Sequence, residues 1–378
     1  MVTTRYSVLD GWRGVCALVV ALHHLQADGH FFALPFLRNA WLFVDFFFVL
    51  SGFVLAHAYG GLTAGGFVRF AWRRLGRIWP LHVCVLAAFV VLEAIKLALM
   101  AVLGIAADNP PFSGETSATA LVSNVMLVHA WGLHDIATWN FPSWSISTEW
   151  GAYLVFGAVA ALGLAGRPVV AAALALGGGL MVAVASPEGL HTIADFGLFR
   201  CLYGFFTGVL VYRLVAGARA SRPLSSLAEV AVVAVVAGFV TIAEKGPNSL
   251  AAPLVFGLAV AVFAGEGGRL SRLLAAAPAQ ALGRYSYSIY LVHTLVLVAM
   301  GRAISLIEAK AGWVLTAPLE VNGAVRVLLL PNQPWAADVV AVLFLAVVVA
   351  LSAQTHRWIE QPGQRLFARL ARRFGGSA

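Results

Sequence analysis

Apolar runs of about 17 to 25 residues, parted by polar or Gly/Pro breaks, recur along this 378-residue chain. They lie near 12–29, 40–60, 80–106, 143–165, 168–186, 196–216, 228–244, 249–265, 284–307 and 335–359. In hydrocarbon each segment must satisfy its own backbone polar groups, so runs of this length fold as transmembrane helices. The expectation is an all-α polytopic membrane protein of about ten transmembrane helices. With 61% hydrophobic and 11% charged residues, the chain is too apolar for the soluble globular class. A further apolar stretch, about 117–132, holds Asn124 and His129 and reads as an interfacial or re-entrant segment. No loop is long enough to bury a core of its own, so residues 1–378 read as one transmembrane domain. The first apolar run carries two histidines and no small-residue cleavage site, and reads as a retained span rather than a signal peptide.

The basic residues orient these spans, because Lys and Arg accumulate on the cytoplasmic side. With the N-terminus inside, Arg5, Arg13, Arg69, Arg73, Arg74, Arg77, Arg167, Arg213, Arg219, Arg222, Arg269, Arg272 and Arg284 face the cytoplasm. So do Arg357, Arg365, Arg369, Arg372 and Arg373, making about eighteen of the 25 basic residues. Arg38, Arg200, Lys245, Arg302, Lys310 and Arg326 fall outside, and 107–142 holds no Lys or Arg. An even number of spans with both termini cytoplasmic follows. The net charge of +8 is a product of this asymmetry; it points to an anionic inner leaflet and not to nucleic acid. Residues 363–378 form a basic cytoplasmic tail, read either as an amphipathic helix on the lipid surface or as a plain anchor. Cys16, Cys84 and Cys201 lie inside apolar runs with no metal-ligand or disulfide spacing.

Polar groups inside lipid are costly and mark function. Arg13 and His24 stand eleven residues apart on the first span, which puts them on one helix face about 16 Å apart. The topology places His24 in the outer half, with Asp45 at the outer part of the second span and Glu149 within about two turns of the outer boundary on the fourth. A buried carboxylate needs a donor, and a histidine acting as base needs a carboxylate or carbonyl to fix its tautomer. Pairing His24 with Glu149 or Asp45 meets both needs. In the ninth span Ser286, Tyr290 and His293 share a face at i, i+4 and i+7, lining a cavity or joining helices. Arg69, Arg73 and Arg77 recur every four residues on the inner side, with Pro80 expected to end that turn before the third span. Aligned guanidinium forks suit a polyphosphate.

These residues occur in segments that together resemble the acyltransferase-3 family of integral-membrane O-acyltransferases. The segments are Leu9-Asp10-Gly-Trp-Arg13 with His24, Val44-Asp45-Phe-Phe-Phe-Val-Leu-Ser51-Gly52-Phe53, Arg73-Arg74-Leu-Gly-Arg77-Ile-Trp-Pro80, Trp144-Ser145-Ile-Ser147-Thr-Glu149, Phe205-Phe-Thr-Gly208, and Gly283-Arg-Tyr-Ser-Tyr-Ser288-Ile-Tyr290-Leu-Val-His293. Single segments are weakly diagnostic; their order and spacing across most of the chain are specific. Trp150-Gly151-Ala152 departs from the bulkier polar residues common after that glutamate, and His23 sits beside His24.

The resemblance implies ten transmembrane helices and acyl transfer from a cytoplasmic acyl-CoA, acetyl-CoA or a close relative, to a hydroxyl of a sugar or glycoconjugate. It implies that Arg73 and Arg77 contact the acyl-CoA phosphates, an interaction to which Arg13 and Arg74 are expected to add. His24 is the expected general base or acyl carrier, with Glu149 or Asp45 orienting it. Ser147, Tyr290 or a backbone donor is expected to stabilise the oxyanion, with Ser145, Trp144, Ser288 and His293 nearby. The implied location is a bacterial cytoplasmic membrane. A competing class is a proton-coupled transporter or flippase of a saccharide or lipid-linked precursor, with His24, Glu149 and Asp45 as its proton relay.

Overall fold

The computed structural model describes residues 6–103, 109–218, 226–321 and 324–374. Arg5, Arg219, Arg222, residues 104–106 of the third expected span and the last four residues of the tail lie outside these. In chain order the helices are α1 (Ser7–His24), α2 (His30–Ala33), α3 (Pro35–Arg38), α4 (Phe43–Tyr59), α5 (Phe67–Leu103), α6 (Ala118–Val125), α7 (Trp144–Ala161) and α8 (Pro168–Ala185). They continue as α9 (Gly197–Ala218), α10 (Ser226–Ile242), α11 (Ala252–Phe263), α12 (Arg269–Leu274) and α13 (Ala277–Ala311). A hairpin of β1 (Thr316–Val321) and β2 (Ala324–Leu329) follows, then α14 (Pro334–Thr355) and α15 (Gln361–Phe374).

A helix stands at each of the ten expected spans: α1, α4, α5, α7, α8, α9, α10, α11, α13 and α14. Among the described residues six of these, α4, α5, α8, α9, α13 and α14, are long and apolar enough to cross a membrane on those grounds alone. The 18-residue α1 and α7 carry the polar motifs, and α10 and α11 are shorter apolar helices. The expected interfacial segment is the short α6 and an irregular connection up to α7, where buried His129 and Asn124 find partners.

Three local expectations change. Pro80 does not end a turn: α5 runs through it for 37 residues, so the arginine ladder and the third span form one continuous helix. A transmembrane helix tolerates such a proline where neighbours cover the disturbed turn, and here Gly363 leaves room for its ring to lie against the backbone. The tail does form a basic amphipathic helix, but its apolar side lies on α5. Phe367 packs against Trp72 and Trp79, and Ala371 is buried. The outer connection after α13 also contains antiparallel strands, β1 and β2. The end of β2 is pinned behind α1, where Leu329 N–H donates to Gln26 (2.8 Å) and Asp28 N–H donates to Leu329 (2.9 Å).

Two features hold the outer and inner ends together. At the outer end Arg200 of α9 is 2% exposed and donates to both carboxylate oxygens of fully buried Asp45, at 3.0 and 2.7 Å. Its guanidinium lies between the rings of Trp41 and Trp144, 5.3 and 5.1 Å from their centroids. This joins α4, α7 and α9, and removing one partner would leave an uncompensated buried charge. At the inner end buried Glu229 of α10 accepts the N–H groups of Gly268, Leu270 and Ser271, which supplies acceptors to the free donors starting α12.

Candidate active site

Helices α1 and α13 run parallel, in matched register. At Gly14 a side chain would meet Leu282 and Gly283, and at Gly283 one would meet the Asp10 carbonyl. Without a Cβ at these positions the two backbones approach closely. Ten residues beyond each glycine stands a histidine, His24 and His293. Their rings lie 4.9 Å apart, with His293 Nε2 3.3 Å from His24 Nδ1.

The backbone decides where the protons sit in the neutral pair. His293 Nδ1 lies 3.2 Å from the Ile289 carbonyl and His24 Nδ1 lies 2.9 Å from the Val20 carbonyl. A carbonyl only accepts, so both Nδ1 atoms carry hydrogen. His24 Nδ1–H therefore donates to Val20 and toward the lone pair of His293 Nε2. This makes His24 Nε2 the unprotonated nitrogen, the tautomer that a base needs. His24 is the last residue of the 18-residue α1, a helix about 27 Å long, so it stands at the end away from Arg13. Phe141 lies 5.8 Å from its ring, and Asn140 fixes that segment by donating to Leu291 (3.2 Å) while accepting from Thr294.

Below the pair, α7 presents Ser145, Glu149 and Tyr153 one turn apart on a single face. Ser145 shares a 2.8 Å hydrogen bond with Tyr290, whose ring centroid is 6.1 Å from His293. Glu149 accepts from Ser51 and, at 2.6 Å, from Tyr153. Arg74 lies over the rings of Tyr153 and Tyr59 and donates to the Tyr59 hydroxyl (3.4 Å). Successive turns of α7 thus lead from the histidine pair to the inner arginines, about 12 Å from Ser145 to Tyr153.

Several expected partners lie elsewhere. Asp45 does not orient His24, because Arg200 takes both its oxygens, and Trp144 stacks on that same arginine. Glu149 sits a turn below Ser145 beside Ser51, so a backbone carbonyl and a second imidazole fill the orienting role expected of a carboxylate. Ser147 donates to the Leu127 carbonyl (3.0 Å) and accepts from Ala130 N–H (3.1 Å), so its hydroxyl ties down the connection before α7. Ser288 points inward, donating to Glu360 at 3.0 Å, and Ser286 bonds its own helix at Gly283.

On the inner side Arg13 pairs with Asp10 at 3.4 Å and lies near enough to Arg77 for their charges to interact. Arg73 is exposed. Arg77 stands over the Tyr287 ring and pairs with Glu360, a 1% exposed carboxylate that also meets Ser288, His356 and Gln364. Sequence reasoning missed Glu360, although it lies at the end of the last apolar run. It also missed Arg200 as a structural group, although an arginine inside an apolar run requires a partner.

At the outer face a cavity of about 660 Å³ opens beside α1, with His23, Trp41 and His191 in its wall. Gln26, Arg38, Asn39, Lys245 and Asp338 add donors and acceptors of both kinds. Aromatic faces among mixed polar groups suit a hydroxyl-rich ligand.

Comparison with known proteins adds to this geometry. The model of a family described as an acyltransferase domain matches residues 6–354. "Protein 2 in picA locus" of Rhizobium radiobacter is 46% identical over 88 residues, covering 22% of this chain and 43% of that protein. "Acyltransferase MdmB" of Streptomyces mycarofaciens is 33% identical over 162 residues, covering 40% of this chain and 38% of its own. The chain thus spans less than half the length of either curated relative. No solved structure matches.

Proposed function

The chain belongs to the acyltransferase-3 family, and from that premise we propose that it moves an acetyl group from cytoplasmic acetyl-CoA to a sugar or glycoconjugate hydroxyl at the outer face. The observation that carries this reading is the proton order of the His24–His293 pair, which leaves His24 Nε2 as a base at the outer end of the helix that bears Arg13.

In this reading the acyl-CoA phosphates dock on Arg73, Arg74, Arg77 and Arg13, and the pantetheine arm follows the α7 face upward. His24 Nε2 takes the acceptor's hydroxyl proton as the oxygen attacks the thioester carbonyl. The Nδ1–H bonds to Val20 and His293 hold the imidazole in line as it gains charge. Tyr290, hydrogen-bonded to Ser145 and 6.1 Å from His293 between ring centroids, is the hydroxyl we assign to the oxyanion. Collapse breaks the C–S bond, and the CoA sulfur takes the proton from His24, completing the exchange. A cytoplasmic donor and an outer acceptor require a protein that crosses the membrane, here a bacterial cytoplasmic membrane.

The transporter reading needs His24, Glu149 and Asp45 as one relay. Asp45 is committed to Arg200, which argues against it. The deciding measurement is acetyl-CoA turnover by purified wild type, His24→Ala and Arg73→Ala with a saccharide acceptor. Loss of transfer in His24→Ala and a raised KM for acetyl-CoA in Arg73→Ala are expected. Transfer at the wild-type rate by His24→Ala sinks the mechanism.

A further inference from the structure

Helix α15 packs on the inner turns of α5, and the glycines give the register. Gly363 lies against Pro80, and Gly76 against Phe367, so the later residue of α15 meets the earlier one of α5 and the helices run antiparallel. The Phe367 ring lies 5.6 Å from Trp72 and 5.9 Å from Trp79, which fixes this contact. Two rows of side chains then run side by side. On α5, Arg77, Arg73 and Arg69 follow one another inward at one turn each. On α15, Gln364 donates to Glu360 (3.1 Å), the carboxylate that pairs with Arg77, and so marks the edge of α15 beside that row. Ala368 and Arg372 continue this edge at i+4 and i+8, within about 80° of Gln364.

Eight residues separate Arg77 from Arg69 and Gln364 from Arg372, about 12 Å on each helix, so Arg372 comes level with Arg69. The short Ala368 stands opposite Arg73 and leaves room beside it. Neither 67–92 nor 361–374 contains an acidic residue, so inward of Glu360 this helix pair gathers guanidinium groups without a carboxylate of its own. Like charges held together on neighbouring turns repel, and a bound anion removes that cost. Anchoring to the inner leaflet does not account for α15, because Phe367 and Ala371 on its apolar side are buried in the protein. Arg73 and Arg372 are exposed and so open to a ligand arriving from water.

Acyl-CoA carries its charge in two places, a diphosphate and a 3′-phosphate joined to one ribose. We propose that Arg69 and Arg372 hold the 3′-phosphate, one turn inward of the diphosphate at Arg73 and Arg77, so that α15 selects CoA over donors lacking that group. One turn of α5 is about 6 Å, a step that a ribose can bridge. Guanidinium forks from two helices offer the phosphate oxygens donors from two sides. This rests on the acyl-CoA reading above.

The test compares equilibrium binding of acetyl-CoA and 3′-dephospho-acetyl-CoA to the full chain in phosphatidylcholine nanodiscs. In wild type, loss of the 3′-phosphate should raise Kd about tenfold, as loss of one charge-assisted contact implies. Arg372→Gln should raise Kd for acetyl-CoA by that factor and leave 3′-dephospho-acetyl-CoA unchanged, making the two donors equal. Arg369→Gln removes the same charge about 140° around α15 from Gln364 and should keep the wild-type ratio. Equal donors in wild type, a wild-type ratio in Arg372→Gln, or the same collapse in Arg369→Gln overturns the subsite. A lipid head group on these arginines shows instead as an Arg372→Gln effect confined to phosphatidylglycerol nanodiscs and equal for both donors, which also overturns it. Wild type that binds neither donor overturns the acyl-CoA reading itself.

Discussion

His293 Nε2 lies 3.3 Å from His24 Nδ1, so each imidazole fixes the other's proton, and backbone carbonyls anchor both. His24 is expected to act directly and His293 through it. His24→Ala should lower kcat by about 10²–10⁴-fold, the usual share of a general base. His293→Ala should cost a smaller factor, roughly tenfold, and His293→Gln should recover most of it because an amide oxygen can accept the Nδ1–H. Equal losses in His293→Ala and His293→Gln, with folding intact, would remove the positioning role.

The inner arginines divide by what holds them. Arg73 is exposed, whereas Arg77 is anchored to buried Glu360. Arg73→Ala should raise KM for acetyl-CoA about tenfold, as loss of one charge-assisted phosphate contact implies, while leaving thermal stability unchanged. Glu360→Gln should instead destabilise by about 3–5 kcal/mol, because it strips a partly buried guanidinium of its partner. Thermal unfolding in detergent and acetyl-CoA titration separate the two effects, and a Glu360→Gln protein as stable as wild type contradicts the anchoring role.

The positions of the helical spans were legible in the sequence because apolar run length reflects the thickness of the membrane itself. Pairing was not legible. Depth alone placed Asp45, Glu149 and His24 together, but depth does not give the angle at which a helix faces its neighbours. Arg200, 155 residues from Asp45 in the chain, takes that carboxylate, and His293 takes the place expected of an acid. The β-hairpin was hidden for a different reason: in a chain dominated by helical spans, six-residue strands in an outer connection leave only a faint local pattern.

Asp45 and Arg200 form the tightest test of structure against catalysis. Asp45→Asn leaves the Arg200 charge buried without its counter-ion, which costs about 3–5 kcal/mol. Asp45→Ala combined with Arg200→Leu should be more stable than Asp45→Ala alone, since neither charge remains. Any folded fraction of the double variant should keep measurable acyl transfer. Complete loss of turnover in a double variant with wild-type stability would return Asp45 to the reaction.

Acid sensitivity should arise in the connection before α7. His129 is 2% exposed, and burial, followed by repulsion from His82, lowers its pKa from 6.5 to about 3. The unfolded chain then binds a proton that the folded one refuses between these values, so stability is full above about pH 6.5 and falls as pH drops toward 3. One such group contributes a slope of up to about 1.4 kcal/mol per pH unit. His129→Gln keeps a polar group at Ser143 but has nothing to protonate. Its melting temperature is therefore expected to change less between pH 7.5 and 5 than that of wild type, as read by thermal unfolding in detergent at about 0.5-unit steps. Parallel pH profiles for the two proteins would place the acid-sensitive group elsewhere.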